Sequence, residues 1–116
     1  MLIDSEKVTS INGKAAKLGI GTNKVGGYNL FQGLNDQDGY DVVREALDSG
    51  IEMIDTAYMY GLGHSEEIIG RAIKGYAREN FKIATKAAQD KNNDLAINNK
   101  PAFLKQSVDE ALIRLQ

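Results

Sequence analysis

Asp55, Tyr60 and Lys86 are the side chains in this sequence whose types and placement could move a proton. Asp55 and Tyr60 lie in residues 51–63, a stretch that begins as a short apolar run and turns into a glycine-rich polar loop. Lys86 closes a second apolar run, residues 81–86. Both charged residues thus end strand-like segments, and the C-terminal mouths of parallel strands are where α/β folds place their chemistry. If the two strands are neighbours, Asp55 and Lys86 can meet at the mouth, with Tyr60 in the loop directly above. A tyrosine beside a lysine ammonium has its phenolate stabilised, which makes it a usable proton donor to a carbonyl oxygen. Asp55 would hold the lysine charged and in place. The same residues also have an ordinary reading. An aspartate at a strand end is often a cap, a lysine there is usually solvated, and a tyrosine in a glycine-rich loop is often only packed. Spacing by itself leaves both readings open.

The elements that would position these residues follow from periodicity and punctuation. Residues 7–16 read as a β-hairpin turning at Asn12-Gly13, since Asn-Gly supplies two positive φ angles. Residues 17–22 read as a short strand broken by glycines, a sign that a backbone or a ligand comes close. Residues 36–49 read as a helix capped by Asp36 or Asp38, with Tyr40, Val43 and Leu47 on one face and Gly50 as a left-handed stop. Ile51–Ile54 is the second strand. Ser65 is expected to cap a second helix, with Glu66 and Glu67 in its first turn, a buried stripe of Ile68, Ile69, Ala72 and Ile73, and Gly75 as its end. Residues 81–86 form the third strand. Residues 87–100 read as a polar loop rich in Asn and Asp. Pro101 opens a last helix whose apolar face is Leu104, Val108, Leu112 and Leu115.

A hairpin followed by three β-α units implies parallel strands joined by right-handed crossovers. Such strands need cover on both faces, and three helices on one side leave the other bare. A closed barrel covers itself but takes ~250 residues, and this chain of 116 residues forms one modest domain, 1–116.

Apolar residues are 42% and charged residues 26% of the chain, with a formal charge of −2, ordinary values for a globular protein. No basic block suggests nucleic acid or an acidic membrane surface. The absence of cysteine removes disulfides, thiolate metal sites and a thiol nucleophile. No apolar run approaches a membrane span, and the N-terminus lacks a signal peptide's apolar core, so a cytoplasmic protein is expected. Gly19, Gly21, Gly26 and Gly27 do not make the dinucleotide fingerprint of doubly wound folds. Asp90, Asn92, Asn93 and Asp94 lack calcium-loop spacing, and no metal site is expected. Tyr28, Phe31 and Tyr58 could line a substrate pocket or simply pack.

Residues 54–61, Ile-Asp-Thr-Ala-Tyr-Met-Tyr-Gly, resemble the signature of the aldo-keto reductase family. Other blocks match in order: the Asn12-Gly13 hairpin, Leu18–Thr22, Ser65-Glu66, Ile83–Lys86, and Ser107–Leu115 as the family's third helix. The resemblance implies a (β/α)8 barrel, of which this chain is the N-terminal portion, and reduction of aldehydes or ketones with NADPH. It assigns catalytic positions to Asp55, Tyr60 and Lys86, with the tyrosine as proton donor. It places Gly21, Thr22 and Asp55 near the cofactor. The family's fourth catalytic member, a histidine on the fourth strand, would follow Leu115, and the later cofactor-binding loops would follow it. The chain as given is therefore expected to be nearly inactive alone. His64 matches no catalytic position and is expected at the loop surface or helping to cap the helix. The alternative is a non-catalytic partial barrel that associates with copies of itself or another chain. An exposed apolar interior of Leu18, Ile20, Met53 and Ile83 and the open edges of the first and third strands would drive that association.

Overall fold

The computed structural model describes residues 10–11, 14–15 and 17–116, the first four through their backbone pairing alone. Strand β1 (Ser10–Ile11) pairs antiparallel with β2 (Lys14–Ala15), Ile11 opposite Lys14. The expected turn residues, Asn12 and Gly13, lie outside the described residues.

Three short strands make the central sheet: β3 (Gly19–Gly21), β4 (Met53–Asp55) and β5 (Lys82–Ala84), parallel and in that order. The register sets Gly19, Met53 and Lys82 level, then Ile20, Ile54 and Ile83, then Gly21, Asp55 and Ala84. Side chains alternate between the faces of a strand, so the three isoleucines share one face and the rest share the other. The isoleucine face is the packed one. Ile54 is fully buried in a core with Val25, Val43, Ile68, Ile69, Ala72, Ile73 and Phe81, and Ile20 and Ile83 pack against it. This corrects half of the expected apolar interior; Leu18, 66% exposed, is open to solvent as expected. Ile20 and Ile83 face the helices, and the open face carries Met53 among glycine, alanine and charged residues. A one-residue error in register exchanges the two faces, and strands of three residues have too little alternation to prevent that error in reading.

Helix α1 (Asp36–Asp48) presents Gly39, Val43 and Ala46 to the core. Its cap is Asn35, extended at φ −132, ψ 132, whose side-chain oxygen accepts from the amides of Gln37 at 2.8 Å and Asp38 at 3.2 Å. The cap is thus Asn35, not Asp36 or Asp38, because those two residues are already helical. Gly50, at φ +87, takes the left-handed position expected of it. Helix α2 (His64–Ala72) starts from Gly63 at φ +96 with no side-chain cap. Ser65 lies inside the helix, so it is not the cap. The helix stops at Ala72, and Gly75 adopts φ +90 in the turn beyond. Arg44 of α1 donates to the Ala72 carbonyl at 3.0 Å, a cation on an otherwise unsatisfied helix C-terminus.

Helix α3 (Pro101–Leu115) has Pro101 in its first turn, as expected. Of its expected face, Leu104 and Leu115 are partly buried and Leu115 packs against the core, but the fully buried residue is Ala111, while Val108 and Leu112 stay 54% and 63% exposed. The cause is a close crossing with α2. A Cβ built on Gly70 would come within 2.1 Å of the Arg114 carbonyl oxygen, and so tight an approach favours a small side chain over a leucine. Residues 87–100 are not all loop. They hold a small antiparallel pair, β6 (Gln89–Asp90) with β7 (Ala96–Ile97). Asp90 braces it by accepting from the Asn92 amide at 3.0 Å and the Asn98 side chain at 3.1 Å. No helix among the described residues is long and apolar enough to cross a membrane.

Candidate active site

The C-terminal ends of β3, β4 and β5 bring the candidate residues together. Lys86 Nζ lies 2.8 Å from Asp55 Oδ1 and donates a second bond to the Thr56 carbonyl at 2.9 Å. Both side chains are about half exposed. The ammonium sits 5.5 Å from the centroid of the Tyr60 ring, within cation–π range. Residues 55, 60 and 86 therefore converge as their spacing suggested, and Lys86 meets the tyrosine through the ring face.

Tyr60 is held by its loop. Asn29 accepts from the Gly61 amide at 2.8 Å and donates to the Met59 carbonyl at 3.0 Å. Gly61, at φ +71, could carry no side chain, because a Cβ there would fall 2.1 Å from the Gly26 carbonyl oxygen. Two glycine-rich loops thus press together and fix the residue between them.

Gly21 and Thr22 sit differently. Gly21 is level with Asp55 on the open face, and a Cβ built on it would meet nothing within 4 Å. Thr22 is 1% exposed, and its hydroxyl donates to the Asp55 carbonyl at 2.8 Å. Its side chain is behind the site and holds Asp55 from there.

Below the ion pair lies a buried polar layer that spacing did not reveal. Ser65 Oγ donates to the Thr22 carbonyl at 3.2 Å and is 3.1 Å from Thr56 Oγ1. Glu66, the next residue, is fully buried. It accepts from the Thr85 hydroxyl at 2.5 Å and from Arg114 Nε at 2.5 Å, and the Arg114 guanidinium lies 5.3 Å from the Tyr58 ring centroid. A buried carboxylate needs such partners. The sequence carried one usable signal: Glu66, Ile69 and Ile73 share a helical face, so an acid stood on the buried stripe and required a cation from elsewhere.

His64 is the first residue of α2, and its Nε2 lies 2.9 Å from both carboxylate oxygens of Asp36. Its Nδ1 is 3.5 Å from Glu67. The Tyr28 hydroxyl also donates to Asp36. The Tyr28 bond, then the His64 contact, hold the Asp36 carboxyl below its ordinary range, and the same bond raises the Tyr28 phenol. His64 therefore ties α1 to α2; it does not cap the helix with its side chain. Phe31 lies under the Lys24 ammonium, 5.3 Å away. Of the three aromatic residues proposed for a pocket, Tyr58 borders a cleft of about 290 Å³ between the end of β5, the β6–β7 pair and α3, with Lys86, Gln89, Phe103 and Arg114 also in its wall.

Three parallel strands with helices on one face, and an Asp–Lys pair beside a tyrosine at their C-terminal mouths, make up a part of a (β/α)8 barrel. The Aldo/keto reductase family model matches residues 17–116, and the chain belongs to that family. It is 43% identical over 105 residues to the aldo-keto reductase YhdN of Bacillus subtilis, covering 89% of this chain and 31% of that protein. Among solved structures, the glycerol dehydrogenase of Gluconobacter oxydans is similar at a TM-score of 0.72 and 34% identity, over 92% of this chain and 35% of that one. An aldo-keto reductase from Klebsiella pneumoniae in complex with NADPH is similar at a TM-score of 0.65 and 28% identity, over 91% and 34%. The chain spans about a third of the length of these relatives.

Proposed function

We propose that this chain supplies the first part of an NADPH-dependent carbonyl reductase site, acting on small aldehydes or ketones. The observation that carries the reading is the 2.8 Å pair between Lys86 and Asp55 beside the Tyr60 ring, at the mouth of a parallel sheet. In this reading Tyr60 gives its hydroxyl proton to the carbonyl oxygen as that oxygen gains charge. Lys86 favours the phenolate left behind, and Asp55 with the Thr56 carbonyl fixes the ammonium. When bound, the dinucleotide supplies the hydride. The open space over Gly21, level with Asp55, suits a flat ring, and Thr22 supports that corner through the Asp55 carbonyl. The remaining contacts to the cofactor belong to parts that the longer relatives possess.

The test is a chimera in which residues 17–116 replace the matching third of the Bacillus subtilis relative. It should reduce an aldehyde at the expense of NADPH, and Tyr60→Phe should lower the rate by about 10²–10⁴-fold, the usual contribution of a general acid. A chimera that folds and binds NADPH but whose rate ignores Tyr60→Phe would sink the reading.

A second reading, association without catalysis, draws support from α3. Val108, Leu112 and Ile113 are 54%, 63% and 75% exposed. Among the described residues, β5 pairs only with β4, leaving its other edge free. Light scattering on the chain by itself separates the readings. Oligomers that persist in Tyr60→Phe favour association, and a monomer at high concentration removes it.

A further inference from the structure

We propose that the first turn of α2, through the consecutive residues Ser65 and Glu66, positions the Asp55–Lys86 pair by locking the ends of all three strands. The proposal rests on the reading of that pair as the reacting one. Neither side chain bonds Lys86 or Tyr60; the Ser65 backbone amide donates to the Tyr60 carbonyl at 3.1 Å, a bond that Ser65→Ala leaves in place. Ser65 bonds the Thr22 carbonyl at 3.2 Å, just beyond β3, and lies 3.1 Å from Thr56 Oγ1, just beyond β4. Thr56 is the residue whose carbonyl accepts from Lys86, and Thr22 is the residue whose hydroxyl holds the carbonyl of Asp55. Glu66 takes the Thr85 hydroxyl at 2.5 Å, one residue before Lys86 itself. One dipeptide therefore grips the chain next to both members of the pair, and from the side opposite the open face.

The physical case is one of geometry. Asp55 and Lys86 are half exposed and bring little attraction of their own in water. What keeps Nζ 2.8 Å from the carboxylate is the spacing of the strand ends. Backbone bonds from Thr22 to Asp55 at 3.0 Å, Thr56 to Ala84 at 2.8 Å and Tyr58 to Lys86 at 2.9 Å set the main chain there, and the Ser65 and Glu66 side chains add a second set of ties from the buried side. Ser65 and Glu66 are both 0% exposed, so their hydrogen bonds form where water does not compete, and they act as fixed struts. Arg114 completes the arrangement. It neutralises Glu66 from α3, so the buried acid keeps both oxygens occupied while it holds Thr85. A serine with a conventional capping role would satisfy an amide of its own helix. Here that role is absent, and the hydroxyl is directed at the sheet.

The experiment is acylation of the purified chain with a lysine-selective reagent. The label at Lys86 is read by mass spectrometry against Lys82 and Lys91 in the same molecule. Ser65→Ala is expected to speed labelling of Lys86 by about 2- to 10-fold, the range of one ordinary hydrogen bond, leaving Lys82 and Lys91 unchanged. Ser65→Thr, which keeps a hydroxyl, should restore the slow rate. Thr85→Val removes the Glu66 strut while Arg114 still pairs the buried acid, and should act in the same direction. Ile69→Val destabilises the same helix without touching the network and should leave Lys86 slow. Equal acceleration in Ser65→Ala and Ile69→Val would overturn the proposal, as would none in Ser65→Ala or no rescue by threonine. Labelling needs neither NADPH nor a carbonyl. A chimera that folds and binds NADPH but is inactive, and whose Lys86 still responds to Ser65→Ala, therefore removes the catalytic reading and supports the strut.

Discussion

The two faces of the β3–β4–β5 sheet carry residues of opposite character, although they alternate along the same nine positions. One face bears Ile20, Ile54 and Ile83, level with one another and packed against α1 and α2. The other bears Gly19, Met53 and Lys82, then Gly21, Asp55 and Ala84. Large aliphatic groups on the first face contribute most of what this small sheet can gain from burial, about 1.5–3 kcal/mol for each one fully buried. The second face gives up that gain. Gly21 leaves free space beside a charged pair, Gly19 lies close against Met53, and the stability of this face is supplied from the opposite side. Close packing and the charged pair are thus separated by the alternation of a single strand, with Ile54 and Asp55 as adjacent residues on opposite sides of the division.

The comparison is tested most severely at β4. Ile54→Ala should cost about 2–5 kcal/mol, the range for large core truncations, while Met53→Ala next to it should cost less than half as much. Urea denaturation of both variants measures the difference, and equal losses would mean the open face carries as much packing as the covered one. A smaller effect is expected at the pair itself. Lys86→Met should change stability by no more than about 1 kcal/mol, because both partners are half exposed to solvent. A larger loss by the same assay would make the pair structural.

The smallest effect lies where the helices meet and depends on pH. Asp36 ionises more readily in the folded chain than in the unfolded one, first through Tyr28 and then through His64. Its contribution is complete above the ordinary carboxyl value of 3.8 and is lost as pH falls through the lower folded value. Tyr28 has the opposite sense, since its raised phenol contributes below the ordinary value of 10.0 and loses that contribution as pH rises through the folded value. Asp36→Asn should therefore remove part of the acid-side slope of stability below the ordinary carboxyl value of 3.8, as read from urea midpoints. An unchanged slope would mean that the Tyr28–Asp36–His64 contacts contribute nothing on the helix side.

The order of elements and the convergence of Asp55, Tyr60 and Lys86 could be read from the sequence. Helical periodicity, Gly50 and Pro101 mark boundaries locally, and strand ends place residues at a common mouth. The sides to which strand residues point could not be read in this way. Ile20 and Ile83 were expected on the open face because three residues carry no internal record of register. Half of the α3 face, Val108 and Leu112, was misread for a different reason. Leucine spacing marks a stripe, but the tight crossing at Gly70 selected Ala111, and that crossing depends on a helix about forty residues away. Asn35 was overlooked beside two acids that looked like better caps. Residues 89–97 form a strand pair without an apolar pattern, through the side-chain bonds of Asp90. Ser65 and Glu66 fit the local rules for a helix start so well that their tertiary role was hidden.

Glu66 and Arg114 are 48 residues apart in the chain, and this separation has a consequence for how the molecule is made. At ~5–20 residues per second, about 2 to 10 s pass on the ribosome between the two. Within that interval α2 and then β5 are completed, but docking the acid before Arg114 would bury a charge without its cation, which is strongly unfavourable. The nascent chain is expected to keep the first turn of α2 undocked until Arg114 emerges. Stalled chains released to a protease should be cut near residue 66 when they stop short of Arg114 and be protected once they include it. Equal cutting of both would show that docking does not wait for the arginine.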